Sequence, residues 1–222
     1  MSNSETDRIA RRVAACFSGE HYLSFYIPSK LASDSIYSFA ARLLAGENIS
    51  DRGILDIGCG VGLFAAYLRE KGITTPYLGI DPAEKKIQTA NCYLVKKYGD
   101  LDFRIGEGRH LPEFSGNIVA FDILQYFSDD EQKVLLSEIL ARLAPNGIFI
   151  LQTTLREKHW RYTATSFEEV CIRSFGWIRG GLWNFPKRET ILSAFSGKAN
   201  FVALPSWEGT PFYSWTFLVR KK

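Results

Sequence analysis

From Ile54 onward the sequence predicts an α/β protein, with a mainly parallel sheet covered on both faces by helices. Three observations carry this. Short apolar runs alternate with helix-length stretches as far as Thr153. The stretches end at their own stop signals, Gly72, Gly99 and Asn146–Gly147. A glycine-rich stretch, ILDIGCGVGLF at 54–64, follows the first apolar run directly.

Residues 5–17 place Ile9, Val13 and Phe17 at helical spacing, with Arg8, Arg11 and Arg12 off that stripe. This predicts a short amphipathic helix, either packed on the main domain or closing over a binding site. Pro28 is expected to interrupt helix, with a new helix from about Ser29 to Leu44. Ile54–Ile57 reads as a buried strand, and Gly62–Lys71 as a helix. Tyr77–Ile80 is the second strand and Ala83–Tyr98 the second helix. Leu101–Ile105 and Ile118–Leu124 are the third and fourth strands. Asp129–Leu143 is a helix with Ser128 as its N-cap, and Ile148–Thr153 is a fifth strand. Helix or loop is expected through about 154–198. Two strands follow, near Asn200–Leu204 and Phe212–Arg220, joined by a turn around Glu208–Gly209.

Composition bounds the function. Of 222 residues, 46% are hydrophobic and 23% charged, which fits a globular chain with a sizeable core. The formal net charge of +3 is too mild to argue for nucleic acid. Cys16, Cys59, Cys92 and Cys171 are far apart, so no zinc site or disulfide framework is expected. The polar N-terminus lacks the apolar run of a signal peptide, and no stretch reaches the ~18 apolar residues of a membrane span. A reduced cytoplasmic setting is the expectation.

Open α/β sheets bind ligands beyond the carboxyl ends of their strands, where Gly58-Cys59-Gly60-Val61-Gly62 sits. Glycines let a ligand lie against backbone N–H groups, and the following helix adds a partial positive charge. Asp56 precedes the first glycine by two residues. A carboxylate there suits an ammonium group and repels a pyrophosphate. Asp81 ends the next strand in YLGIDP, at the usual reach for ribose hydroxyls. It is equally placed to cap the next helix, with Pro82 as first helical residue, and the two roles can coexist. One carboxylate for an amino-acid end and one for a ribose together describe S-adenosylmethionine.

The runs LDIGCGVG, GIDP, GEGRHLP, FDILQYF and LAPNGIFIL appear in the order used by class I S-adenosylmethionine-dependent methyltransferases. The chain resembles that family over about residues 50–155, and its closing strands resemble the family's antiparallel final hairpin. The resemblance implies a Rossmann-like fold whose seven-stranded, mainly parallel sheet has an antiparallel final strand and helices on both faces. Residues 1–45 would form a helical cap or lid. Residues 46–222 would form the cofactor-binding domain, with an acceptor-side insert at about 154–198. Asp56, Gly58, Gly60 and Gly62 would hold the methionine portion of the cofactor, with Cys59 as the small residue beside it. Asp81, followed by Pro82, would take the ribose hydroxyls. Glu107, where the family usually has Asp, would accept from the adenine amino group, with the Gly108 N–H near the ring. Asp122 and Ile123 would line the methionine side. Gln125 stands where the family often carries His or Glu, so it is expected to meet the acceptor without acting as a base.

Methyl transfer needs the acceptor aligned about 3 Å from the methyl group and water excluded; a base is needed only for a protonated acceptor. His159, with Trp160 and Tyr162 in the insert, is the best-placed base or orienter. His21 and Tyr22, with Tyr26, could face the acceptor from the cap. For each, a surface or packing role is the plainer reading. His110 is expected to face solvent, and Cys59 is not expected to act as a nucleophile. Lys30 either pairs with Asp34 one turn on or contacts an acidic acceptor group. The basic residues of the last third, Arg156 and Arg188 among them, read as a solvated rim, or as a surface for an acidic carrier protein or RNA. No metal is expected. A narrower resemblance, carried by HYLSFYIPSKLASDSIYSFAARLL and EGTPFYSWTFLVRKK, is to small bacterial methyltransferases associated with aryl-polyene and fatty-acid-like synthesis. It implies a small apolar or aromatic acceptor, methylated at oxygen, with an acyl carrier protein as a partner. The rival readings are an RNA or protein methyltransferase, a non-catalytic cofactor-binding module, and an NAD-dependent enzyme. FDILQYF stands where the first rival would carry an Asn/Asp-Pro-Pro-Tyr motif, and Asp56 argues against the last.

Overall fold

The computed structural model describes residues 3–46, 52–157, 184–206 and 213–221. Its strands are β1 (Ile54–Ile57), β2 (Tyr77–Asp81), β3 (Leu101–Ile105), β4 (Asn117–Phe121), β5 (Ile148–Thr153), β6 (Ala199–Pro205) and β7 (Trp215–Lys221). They form one seven-stranded sheet in the order β3-β2-β1-β4-β5-β7-β6. β1, β2 and β3 pair in parallel, and β7 runs antiparallel to both β5 and β6. The expected Rossmann-like arrangement with its antiparallel end is therefore present. The chain divides into two compact parts, Met1–Val119 and Ala120–Lys222.

In the first part, α1 (Asn3–Cys16) buries the expected stripe of Ile9 and Val13, and Phe17 just beyond its end is fully buried. α1 packs on α2 (His21–Ser33) and on α4 (Leu63–Glu70). Arg12 fastens it to α4, with its guanidinium 2.8 Å from the Glu70 carboxylate and 2.7 Å from the Glu70 carbonyl. α2 corrects one expectation, because Pro28 lies inside the helix. A helix-interior proline costs about 3 kcal/mol. Leu23, Ile27 and Leu31 lie one turn apart across it and are all buried. At about 1.5–3 kcal/mol each, they outweigh the lost bond. The break falls instead at Asp34, whose carboxylate accepts the Ile36 N–H at 3.2 Å and so starts α3 (Ile36–Leu44).

The helix expected at 83–98 is interrupted. α5 (Glu84–Ala90) passes into a π-helical turn at Asn91–Val95 and then α6 (Lys96–Tyr98), with Gly99 at φ 74° ending the run. Pro82 lies outside α5, which starts two residues later. The Asn91 side chain donates to the Phe103 carbonyl at 3.1 Å, pinning the π turn to β3.

In the second part, β4 stops at Phe121 rather than Leu124, because Asp122 enters the left-handed region at φ 54°. A 3-10 turn follows at Leu124–Tyr126. Ser128 caps α7 (Asp129–Arg142) as expected, and Glu131 completes a full capping box with it. β5 is buried along its whole length. α8 (Arg188–Phe195) is the helix found within 154–198 among the described residues, and Phe195 packs on Phe149 of β5 with ring centroids 6.1 Å apart. The expected turn at Glu208–Gly209 lies outside the described residues. Among the described residues, no helix is long and apolar enough to cross a membrane.

Candidate functional site

β1 delivers the chain into a loop whose three glycines are all left-handed, with φ 80° at Gly58, 58° at Gly60 and 79° at Gly62. The Gly58 and Cys59 N–H groups both donate to the Ile80 carbonyl, at 2.8 and 3.0 Å, which ties the loop to β2. The glycines serve different ends. A Cβ on Gly62 would lie 2.6 Å from the Phe103 ring and 2.7 Å from Leu94, so that position seals the loop against the core. A Cβ on Gly60 would meet nothing within 4 Å. The chain is thus bare and open at Gly60, at the N-terminal end of α4.

Asp81 holds this opening. It is 6% exposed. One carboxylate oxygen accepts the Gly60 N–H at 3.0 Å and the other accepts the Ala83 N–H at 2.8 Å. The carboxylate is therefore fixed by backbone on both sides. Each oxygen keeps a second lone pair, the acceptor geometry a pair of ribose hydroxyls needs. Ala83 is the N-cap residue of α5, so Asp81 supports the helix start from two residues back rather than capping it.

Asp56 is buried beneath the loop. Its carboxylate accepts the Tyr77 hydroxyl, and Tyr77 packs on Phe103. Burial pushes the Asp56 carboxyl up to about 7; the Tyr77 bond opposes this and the nearby Asp81 charge adds to it. A cationic group brought beside Asp56 would relieve that cost. Burial likewise raises the Tyr77 phenol and the Cys59 thiol well above their usual values. A Cβ on Gly79 would sit 2.8 Å from the Cys59 sulfur, so Cys59 fills the space over β2 as a small core residue. Glu107 is exposed and lies 3.6 Å from the Arg109 guanidinium, with Gly108 half-buried beside it. His110 is exposed, as expected.

His21 and Tyr22 are exposed on α2, and Tyr22 stacks on Tyr26 at 5.7 Å. Lys30 makes the plainer of its two contacts, pairing with Asp34 at 2.9 Å. His159, Trp160 and Tyr162 lie outside the described residues.

In the second part, Asp122 is strapped in its left-handed conformation. Its N–H donates to the Gln152 carbonyl at 2.9 Å, its carboxylate accepts the Gln152 amide at 3.2 Å, and its carbonyl accepts the Gln125 amide at 2.8 Å. Ile123 and Gln125 are buried beside it. Beyond them lies a knot of polar side chains around the buried Gln132, its other members part-exposed. The Gln132 amide donates to the carbonyls of Leu124, Phe127 and Asn184, at 3.0, 3.1 and 2.6 Å. The Asn184 amide donates to Phe127 and to Asp129, at 3.1 and 2.6 Å. Arg156 joins with a 3.0 Å ion pair to Asp129, a bond to the Asn184 side chain and a 2.9 Å bond to the Phe185 carbonyl. Arg188 pairs with Glu157 at 2.8 Å and lies 3.9 Å over the Trp215 ring. Arg156 and Arg188 thus make internal ties while staying part-exposed, and Lys187 beside them is exposed.

Tyr77, Gln152 and this knot have no motif that would mark them in sequence. Among the described residues, no group of His, Cys, Asp and Glu side chains is placed to hold a metal.

A family model described as a methyltransferase domain matches residues 30–204. A ubiquinone biosynthesis O-methyltransferase of Bradyrhizobium diazoefficiens is 28% identical over 137 residues, 59% of this chain and 51% of that one. One of Rickettsia typhi is 31% identical over 115 residues, 50% of this chain and 45% of that one. The chain thus spans about half the length of the curated relatives it matches. Among solved structures, magnesium protoporphyrin IX methyltransferase of Synechocystis, with bound S-adenosylhomocysteine, aligns at a TM-score of 0.66. The identity is 18%, covering 85% of this chain and 83% of that one. The N-methyltransferase NodS of Bradyrhizobium japonicum, with the same ligand, aligns at 0.59 with 15% identity, covering 82% and 84%. At these identities the likeness is one of fold.

Proposed function

The chain belongs to the methyltransferase domain family, and we propose that it transfers the methyl group of S-adenosylmethionine to an oxygen of a small apolar or aromatic metabolite. The observation that carries the cofactor half is the pairing of Asp81 with Gly60: a carboxylate fixed by two backbone donors beside an open stretch of glycine backbone. Asp81 would receive the ribose hydroxyls, Gly58 and Gly60 would let the methionine portion lie against the chain, and Asp56 would face its ammonium group. Glu107 and Gly108 would meet the adenine, and Asp122 and Ile123 the methionine portion. When bound, the cofactor supplies an activated methyl group on a sulfonium. The protein's part is to orient it and exclude water.

The acceptor half rests on the relatives whose names give oxygen as the methylated atom. His159, His21 and Tyr22 as catalytic groups, and Tyr26, Lys30, Gln125 and Trp160 as acceptor contacts, belong to the same proposal. So do an aryl-polyene or acyl-type substrate, delivery by an acyl carrier protein, and a cytoplasmic setting.

Isothermal titration with S-adenosylmethionine tests the first half. Binding by the wild type should weaken about 100-fold in Asp81→Ala, from the loss of two charge-assisted hydrogen bonds. A wild type that does not bind overturns the reading. Transfer of labelled methyl to phenols, but to no amine or RNA, is the expected outcome of an acceptor screen.

A further inference from the structure

The two edges of the sheet are finished differently. β3, at one edge, reads LDFRI and carries Asp102 and Arg104 as an exposed ion pair. Charged side chains on an edge strand discourage pairing with another chain. β6, at the other edge, reads ANFVALP and has no charged residue from Ala199 to Pro205. At seven residues it is longer than β3, which has five. Among the described residues, no strand pairs beyond it. Alternate residues of a strand share a face, and Asn200, Val202 and Leu204 form one that is open. Val202 is 54% exposed and Leu204 38%. Leu218, the register partner of Val202 on β7, is half-exposed and extends the apolar surface inward. Pro205 removes one backbone donor, but only at the far end of the strand.

We infer that β6 is an interaction surface for a second copy of this chain, the two strands pairing antiparallel about a two-fold axis at Val202. Three features select that partner. The strand is uncharged, so identical copies meet without repulsion, which a charged partner would not require. Centring the pair on Val202 sets Val202 against its own copy and Asn200 against Leu204, so the open face of each strand becomes continuous with the other. It also places Lys198 opposite Ser206 rather than opposite another lysine. The arrangement is closed: it consumes the uncharged edge of each copy and leaves only the charged β3 edges outside, so assembly stops at two. None of this depends on the methyltransferase reading.

Sedimentation velocity across micromolar concentrations tests it on the full chain, with circular dichroism and thermal unfolding as fold checks. The wild type should sediment at twice the monomer mass at the upper end, and V202K should sediment as a monomer with an unchanged spectrum. V202C should form a disulfide with its own copy under mild oxidation. L204C should do so only when mixed with N200C. A wild type that stays monomeric throughout overturns the proposal. So does a dimer that persists in folded V202K, or a V202C dimer that does not cross-link at that position. Should V202K fail to fold, the cross-linking result decides.

Discussion

The glycine loop at 58–62 and the knot around Asn184 hold their shapes by opposite means. The loop is held through its backbone: two N–H groups on the Ile80 carbonyl and one on the Asp81 carboxylate, which the Ala83 N–H fixes from the other side. The knot is held by side chains, with the amides of Gln132 and Asn184 and the guanidinium of Arg156 gathering carbonyls from distant parts of the chain. A backbone-held loop leaves its surface bare for a ligand. A side-chain knot fills its own space and fixes where segments begin and end. The first is built to receive something, and the second to hold the chain itself.

The largest expected effect tests the buried acid under the loop. The Asp56 carboxyl lies near 7 in the folded chain against an ordinary 3.8. The folded state therefore binds its proton more tightly. Asp56's contribution is fully present below about pH 4, is lost as pH rises towards 7, and stays lost above that. The window corresponds to at most about 4 kcal/mol. Urea unfolding from pH 4 to 8 should show this decline in the wild type and a flatter profile in Asp56→Asn. A cationic cofactor end placed against Asp56 should release a proton near neutral pH. Titrations in buffers of different ionisation heat would measure that release.

Two glycine substitutions sharpen the comparison within the loop. Gly62→Ala combines a strained backbone with a clash against Phe103 and Leu94, and should lower stability by about 3 kcal/mol. Gly60→Ala meets open space and should cost only about 1 kcal/mol of stability. Its main effect should be on cofactor affinity, because the added methyl occupies the bare surface. Equal effects of the two on stability would break the distinction between a sealing and a receiving glycine.

In the knot, Gln132→Met keeps the volume but withdraws a donor from three carbonyls. The expected loss is about 2 kcal/mol in chemical denaturation, with affinity for the cofactor unchanged. An equal loss of affinity would show that the knot also serves the loop. The smallest effect belongs to Lys30→Ala. It removes a partly exposed pair with Asp34 and should shift stability by about 0.3 kcal/mol. A large loss of turnover with that small shift would restore the acceptor role for Lys30.

The same contrast explains what could be read in the sequence. Left-handed turns demand glycine, and an acid at a strand end needs only local spacing, so Gly58, Gly60, Gly62 and Asp81 stand out in one short span. The strands and the Ser128 cap were equally local. Pro28 misled because its local cost was visible, while the burial of Leu23, Ile27 and Leu31 that outweighs it is tertiary. Arg156, Asn184 and Gln132 were silent for the same reason. A buried amide such as that of Gln132 looks like any surface amide until the carbonyls it serves, one of them 52 residues away, are brought beside it.

One tie in the knot carries a mechanical consequence. The Arg156 N–H meets the Pro186 carbonyl at 2.9 Å, and Glu157 meets Arg188. The chain ends at 157 and 184 are therefore clasped side by side by backbone and side chain together. The cost of bringing two such ends together grows only logarithmically with the length of chain between them, by about 0.6 kcal/mol for each doubling. The clasp works like a buckle, setting the separation of those two ends itself.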